Sequence, residues 1–300
     1  MKIAVTGAFS YSGKYITKKL LARGEEVITL TNHPNRPDPF NGKVKAFPLN
    51  FTNEEELTNN LRGIDVLVNT YWVRFDKGSN TQPKAVENTK VLVNAAAKAG
   101  VKRIVHISIT NPSSNSHLPY FWGKAANEKF VVDSGMSYAI LRPTVLFGKE
   151  DILINNIAWL LRKLPLFGLP GNGSYKLSPV YVDDLADLAV DAVYKKENYI
   201  WDAVGPDEFT FKEMVEVIEK TVEKKRALIP FPPRLALLAA QVMSLYVNDV
   251  MLTPEEVDGL MANLLISNEP SRCKTSLKDW LRENQNTVGT QYASELARHF

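Results

Sequence analysis

A chain of 300 residues, 45% hydrophobic and 23% charged, has the composition of an ordinary soluble protein with a sizeable core, not of a disordered one. Its 36 Lys and Arg exceed its 33 Asp and Glu by only 3, too small a surplus for binding driven by a nucleic-acid backbone, and no nucleic-acid partner is expected. A single cysteine, Cys273, excludes an intramolecular disulfide, and the scattered His33, His106, His117 and His299 lack the spacing of a zinc site.

The chain enters directly on a strand pattern at residues 3–6, with no long apolar leader before it, so cytoplasmic residence is the expectation. A helix at 13–23 and a strand at 27–31 follow, then a strand at 44–48, a short helix at 54–61 and a strand at 65–70. The rhythm repeats with a helix at 82–99 closed by Gly100, a strand at 103–108, a helix at 118–134 and a strand at 138–141. Strands that are apolar nearly throughout, separated by helix-length segments, predict an α/β fold with a doubly wound parallel sheet of the Rossmann kind.

After Arg142-Pro143 the pattern changes. Pro165, Gly168, Pro170, Gly171 and Gly173 crowd one loop, and helical periodicity dominates from residue 211 onward. The expected division is a core of residues 1–149 and 176–205 and a smaller, mainly helical lobe of 150–175 and 206–300. The most apolar stretch, 235–247, is broken by Gln241 and Ser244 and is too short to cross a bilayer. It reads as a buried or interface helix, so no integral span is expected, and the C-terminal helices offer a surface for a homodimer or another partner.

Between the first strand and first helix lies Thr6-Gly7-Ala8-Phe9-Ser10-Tyr11-Ser12-Gly13. There a pyrophosphate would meet backbone N–H groups and the positive end of the helix dipole. Gly7 permits the turn and Gly13 lets the helix pack against the strand, while Phe9, Ser10, Tyr11 and Ser12 complete the loop. Ser10 stands at the middle position in place of a glycine, and its side chain crowds the phosphates unless the loop shifts or the hydroxyl binds them. At the end of the second strand no carboxylate is present to hold an adenosine ribose. The run Thr31-Asn32-His33-Pro34-Asn35-Arg36 instead offers Arg36, and His33 when protonated, to a 2′-phosphate, so NADP is expected over NAD.

Tyr120 and Lys124 stand four apart at the start of a predicted helix, hence one turn apart on one face. An ammonium beside a phenol favours the phenolate, which suits the tyrosine to proton exchange with a hydroxyl or carbonyl. Tyr15 and Lys19 share that spacing, but only the second pair follows the fifth strand, over the carboxyl edge of the sheet. Gly7 with Gly13, Val105-His106-Ile107-Ser108, Tyr120 with Lys124, Leu141-Arg142-Pro143 with Phe147-Gly148, and Pro179-Val180-Tyr181-Val182-Asp183-Asp184 occur in that order. Over residues 1–215 the chain thereby resembles the extended and atypical short-chain dehydrogenases/reductases. Within them it is similar to the branch holding epimerase-like proteins and relatives of the respiratory complex I 39-kDa subunit.

The resemblance implies an NAD(P)-dependent oxidoreductase or epimerase acting on a small molecule, a nucleotide sugar among the candidates. Tyr120 is the implied general acid/base, and Lys124 binds the nicotinamide ribose and tunes the tyrosine. Pro143 falls on the cofactor side of its motif. A Ser or Thr donor to the substrate oxygen is also implied, yet the usual doublet is Ser108-Ile109-Thr110, which leaves Ser108 and Thr110 as candidates around an isoleucine. A non-catalytic nucleotide-binding scaffold or sensor is the rival implied by the complex I relatives.

Further positions carry alternatives. Asn50, after the third strand, either faces adenine or is a turn residue. Asn69 and Thr70 border the expected nicotinamide, and Trp72, Arg74 and Phe75 either border the substrate or pack the lobe. Arg142 is either a substrate anion contact or a structural arginine at a strand end. Asn155 and Asn156 either line the pocket or have capping or surface roles.

Overall fold

The computed structural model describes residues 1–33 and 35–299, and Pro34, within the run after the second strand, lies outside them. In chain order the first elements are β1 (Lys2–Thr6), α1 (Tyr11–Ala22), β2 (Glu26–Thr31), β3 (Lys45–Pro48), α2 (Glu54–Leu61), β4 (Val66–Asn69), α3 (Gln82–Lys98), β5 (Arg103–Ile107), α4 (Pro119–Asp133) and β6 (Ser137–Pro143). Next come β7 (Leu146–Phe147), α5 (Leu153–Lys163), β8 (Leu166–Pro170), β9 (Lys176–Leu177), β10 (Val180–Tyr181), α6 (Val182–Tyr194) and β11 (Tyr199–Ala203). The chain ends with β12 (Phe209–Thr210), α7 (Phe211–Thr221), β13 (Ala227–Phe231), α8 (Pro233–Val247), α9 (Pro254–Met261), α10 (Leu277–Glu283) and α11 (Glu295–His299).

Two compact units result, Met1–Pro143 with Val182–Ala203, and Thr144–Tyr181 with Val204–Phe300. The first is a seven-stranded sheet in the order β11-β6-β5-β4-β1-β2-β3, every neighbouring pair parallel. Ile3, Ala4 and Val5 of β1 are fully buried, which is why that strand lacks polar alternation and belongs in the middle of a covered sheet. Helix α1 turns Gly13, Ile16, Thr17 and Leu20 inward at helical spacing. Its other face is tied to α6, with Lys19 Nζ 2.8 Å from both Asp183 and Asp187 and Arg23 2.8 Å from Asp191. Lys19 is therefore an ion-pairing residue of the helix surface, unlike Lys124.

The second unit gathers Phe147, Ile154, Leu161, Leu177, Met214, Ile218, Trp280 and Leu281 into its own core. Helices dominate it, but three two-stranded pairs, β10–β7, β12–β9 and β13–β8, frame that core. Strand β13 escapes sequence reading because Pro230 interrupts Ala227–Phe231, and a proline argues against a ladder strand except at an edge. No helix among the described residues is long and apolar enough to cross a membrane. Among them, no group of three His, Cys, Asp or Glu side chains is placed to hold a metal.

Candidate nucleotide and proton-transfer site

Loop 7–10 is fixed from three sides. Gly7 N donates to Leu30 O at 3.0 Å, Ala8 N to Thr29 Oγ1 at 3.0 Å, and Ser10 donates to Gly7 O through both N and Oγ, at 2.8 and 2.6 Å. The Ser10 hydroxyl is thus turned back onto the loop's own carbonyl, and Phe9 rests 6.3 Å from Phe40. Gly7 has φ +66°, and a Cβ on Gly13 would stand 2.2 Å from Gly7 O, so both glycines are geometric necessities.

Helix α1, whose first turn includes Tyr11, Ser12 and Gly13, has no side-chain cap and no acidic residue in that turn. Helices α2, α7 and α9 instead open on Asn53, Thr210 and Thr253 caps with glutamates in the first turn. The dipole of α1 is therefore left for an anion from outside the helix.

At the end of β2, Thr31 Oγ1 accepts His33 N at 3.0 Å and His33 O accepts Arg36 N at 3.2 Å, a turn that leaves Asn32 and His33 exposed and Arg36 half-buried. The first carboxylate beyond it, Asp38, accepts Phe40 N at 2.7 Å and Gly42 N at 2.6 Å and so shapes its own loop. Asn50 is engaged at both amide atoms: Nδ2 donates to Glu56 at 2.9 Å, and Oδ1 accepts Thr52 N and Oγ1 at 3.1 and 2.7 Å. That is the bonding of a turn residue.

Under the carboxyl ends of β4 and β5 lies a buried polar cluster. Thr6 Oγ1 accepts Thr70 N at 2.7 Å and donates to Asn69 Oδ1 at 3.1 Å, which also accepts Tyr71 N at 3.1 Å; Thr70 Oγ1 donates to Thr6 O at 2.6 Å. With its oxygen so occupied, Asn69 turns Nδ2 to His106 Nδ1 at 3.1 Å, which puts the imidazole proton on Nε2. Burial, with the Lys124 charge adding to it, pushes His106 down to about 3, so the ring is neutral near pH 7.

Lys124 is 3% exposed, and its Nζ donates to Ile107 O at 3.0 Å. It stands 4.9 Å from the Trp72 ring centre and 6.0 Å from that of Tyr120, and those two rings meet edge-on at 5.5 Å. Burial pushes Lys124 down to about 7, with Glu128 opposing. Trp72 reaches this position through Gly123, where a Cβ would lie 2.5 Å from the indole. Ser108 Oγ, His106 Nε2, Trp72 Nε1 and both amide atoms of Asn127 are buried and lack a hydrogen-bond partner. Such atoms cost free energy unless a ligand or water meets them. His106 enters the sequence reading only as part of its strand motif, with no role, and Gly123 and Asn127 not as site residues, although Asn127 follows Lys124 at helical spacing.

The other candidates separate. Ser108 and Thr110 are buried at 4% and 0% exposure, and Ile109 between them is buried as well. Arg142 grips Glu128 through Nε and Nη2 at 2.8 and 2.5 Å, a two-pronged pair that gives the guanidinium a structural task. Pro143 ends β6, where its carbonyl accepts Thr110 N at 3.1 Å. Arg74, half-buried, lends its carbonyl to Gln82 Nε2 at 2.7 Å, and its guanidinium lies 6.0 Å from the Phe75 ring. In the second unit, Asn155 Nδ2 donates to Asp151 Oδ2 at 2.8 Å while Oδ1 accepts Gly289 N, and Asn156 exchanges hydrogen bonds with Ala293 in both directions. Both amides clamp the lobe's own backbone.

A family model described as NAD(P)H-binding matches residues 7–158. The chain is 25% identical to the mitochondrial NADH-ubiquinone oxidoreductase 40 kDa subunit of Neurospora crassa, covering 90% of this chain and 73% of that protein. It is 24% identical to NADH dehydrogenase [ubiquinone] 1 alpha subcomplex subunit 9 of Arabidopsis thaliana over 78% of this chain, and spans only 62% of that relative's length. Its fold is similar to an NADPH-dependent quinone oxidoreductase from Escherichia coli (TM-score 0.74, 19% identity, 97% of each chain). A nucleoside-diphosphate-sugar epimerase from Staphylococcus aureus is also similar (TM-score 0.70, 18% identity, 99% of each chain).

Proposed function

Because the chain belongs to the NAD(P)H-binding family, we propose that it is an oxidoreductase that takes NADP in preference to NAD and uses Tyr120 and Lys124 to move the proton that accompanies hydride transfer. The observation that carries this reading is the buried Lys124 amine, its Nζ held at Ile107 O and close to the Trp72 and Tyr120 rings. An ammonium placed for stability alone would face a carboxylate, and the one nearest in sequence, Glu128, is gripped by Arg142.

The residues present fit a dinucleotide: two glycines whose Cβ atoms would collide, a helix start without a cap, and buried polar atoms without partners at the far end of β5. Loop 7–13 would hold the pyrophosphate, Arg36 and His33 the adenosine side, and Asn69, Thr70 and Lys124 the nicotinamide side. The bound nucleotide supplies the hydride. The Tyr120 phenol holds the proton for a substrate oxygen, Lys124 in its charged form favours the phenolate, and Trp72 walls the pair from water. In this reading the phenol is the donor to the substrate oxygen.

Calorimetric titration with NADPH, NADP, NADH and NAD tests the cofactor, and turnover of carbonyl substrates, quinones and nucleotide sugars among them, by Tyr120→Phe tests the acid. Micromolar NADPH binding retained in that variant with turnover lost supports the reading; tighter NADH than NADPH rejects the preference, and unchanged turnover rejects Tyr120. A second reading, a nucleotide-binding scaffold without turnover, is favoured by Ile109, buried where the resemblance implies the catalytic hydroxyl, and by the two relatives named as subunits of mitochondrial NADH dehydrogenases. Nucleotide binding without turnover of any carbonyl substrate would select it.

A further inference from the structure

Helix α8 is apolar on two opposite sides. One side, with Ala236 buried, packs on β8 and β13. The other presents Leu235, Leu238, Val242, Leu245 and Tyr246 to solvent, between 52% exposed at Leu235 and 85% at Leu245. Leu235, Leu238, Val242 and Leu245 follow one another at steps of three, four and three, the seam of a coiled-coil pair, and with Tyr246 they fill an arc of about 100°. They leave on the order of 600 Å² open, the upper end of what a monomer exposes in one patch.

We propose that this seam is the contact between two copies of the chain, packed antiparallel along α8 about a two-fold axis level with Ala240. Two such faces bury about 1,200 Å², the threshold of a specific interface. The axis sets Leu235 against Leu245 of the other copy and Leu238 against Val242, each seam residue meeting an apolar one. Arg234 fits only this direction. It is the sole charged side chain of α8 and stands in the first turn with no acidic residue, at the helix end that repels a cation. Antiparallel pairing brings it to the partner's C-terminal end, where Asn248 in the left-handed conformation (φ +50°) stops the helix and the dipole attracts a cation. A bilayer is the poorer occupant, since helices that lie in a membrane surface carry a polar face rich in Lys and Arg, and α8 has one arginine.

Sedimentation velocity of the full chain from 1 to 100 µM tests the pairing, with Leu238→Glu/Leu245→Glu as the variant and circular dichroism confirming that it folds. The expected result is a species of twice the 33.6 kDa chain mass in the unmodified protein and a folded monomer in the variant. The direction is read by mixing Leu235→Cys with Leu245→Cys protein under mild oxidation. The mixture should form disulfide-linked dimers and neither protein alone should, because like positions lie about 15 Å apart along antiparallel helices. A monomer at 100 µM, a dimer that survives the double substitution, or equal cross-linking of each single-cysteine protein overturns the proposal. So does a monomer that co-sediments with phosphatidylcholine/phosphatidylglycerol vesicles only while Leu238 and Leu245 are intact.

Discussion

Replacing Lys124 by methionine keeps the volume of the side chain and removes its charge. The free amine has an ordinary value near 10.5, and burial brings it to about 7 in the folded chain. At 1.36 kcal/mol per unit, holding the ammonium inside costs on the order of 5 kcal/mol at neutral pH. Methionine removes that cost but leaves Ile107 O without its donor, about 1–3 kcal/mol, and loses the attraction of the Trp72 ring, about 1 kcal/mol. A net gain of about 1–3 kcal/mol remains, a rise in Tm of roughly 2–5 °C for a chain of this length.

Between pH 7 and 10.5 the unfolded chain binds the Lys124 proton and the folded chain does not, so stability of the unmodified protein rises with pH across that window. The advantage of Lys124→Met is therefore widest at and below pH 7 and shrinks towards pH 10. Thermal denaturation of both proteins from pH 6.5 to 10 measures it, with NADPH titration recording the binding that the variant gives up. A variant less stable than the parent at pH 7, or a gap that does not vary with pH, would refute a buried ammonium held against its solvation preference.

Three further outcomes follow from the same geometry. His106, held down to about 3 by burial, stays neutral while the unfolded chain takes up its proton near 6.5, so stability should fall as pH drops from 6.5 towards 3, and NMR of labelled histidine should show His106 as the Nε2–H tautomer at pH 5. Observation of an imidazolium there would remove the Asn69 hydrogen bond from the account. Gly13→Ala sets a methyl against Gly7 O, and NADPH affinity should drop at least tenfold by calorimetry; unchanged affinity would mean the nucleotide sits elsewhere. Arg142→Ala strands the Glu128 carboxylate, whose side chain is 8% exposed, and should cost about 1–3 kcal/mol in urea unfolding with KM unchanged. A raised KM at unaltered stability would return Arg142 to the substrate.

Most of the sheet was legible because it rests on local signals. Strand interiors such as Val66 to Val68 are apolar, and glycines follow helices where the backbone must turn left-handed, as at Gly100 (φ +81°). Strands β11 and β13 were not legible: the first is an edge strand with Tyr199, Ile200 and Trp201 partly in solvent, and the second contains a proline. In the candidate site, the Tyr120 and Lys124 spacing and the glycine loop could be read because each lies within one turn of chain. Which carboxylate holds Arg142, where the Ser10 hydroxyl points, and that Gly123 exists to admit Trp72 depend on contacts between separate elements, and no periodicity encodes them.

The parallel sheet is finished late. Its edge strand β11 and the helix α6, whose Val182, Leu185, Ala186, Ala189, Val190 and Val193 are all buried, come from residues 182–203, after the chain has left for the second unit and returned. A ribosome that has released only the family-matched stretch ending at residue 158 has therefore made a sheet with β6 unpaired on one side and an oily surface bare. A gene fragment trimmed to that stretch should precipitate on expression, and the shortest portion with a closed nucleotide fold must reach Ala203.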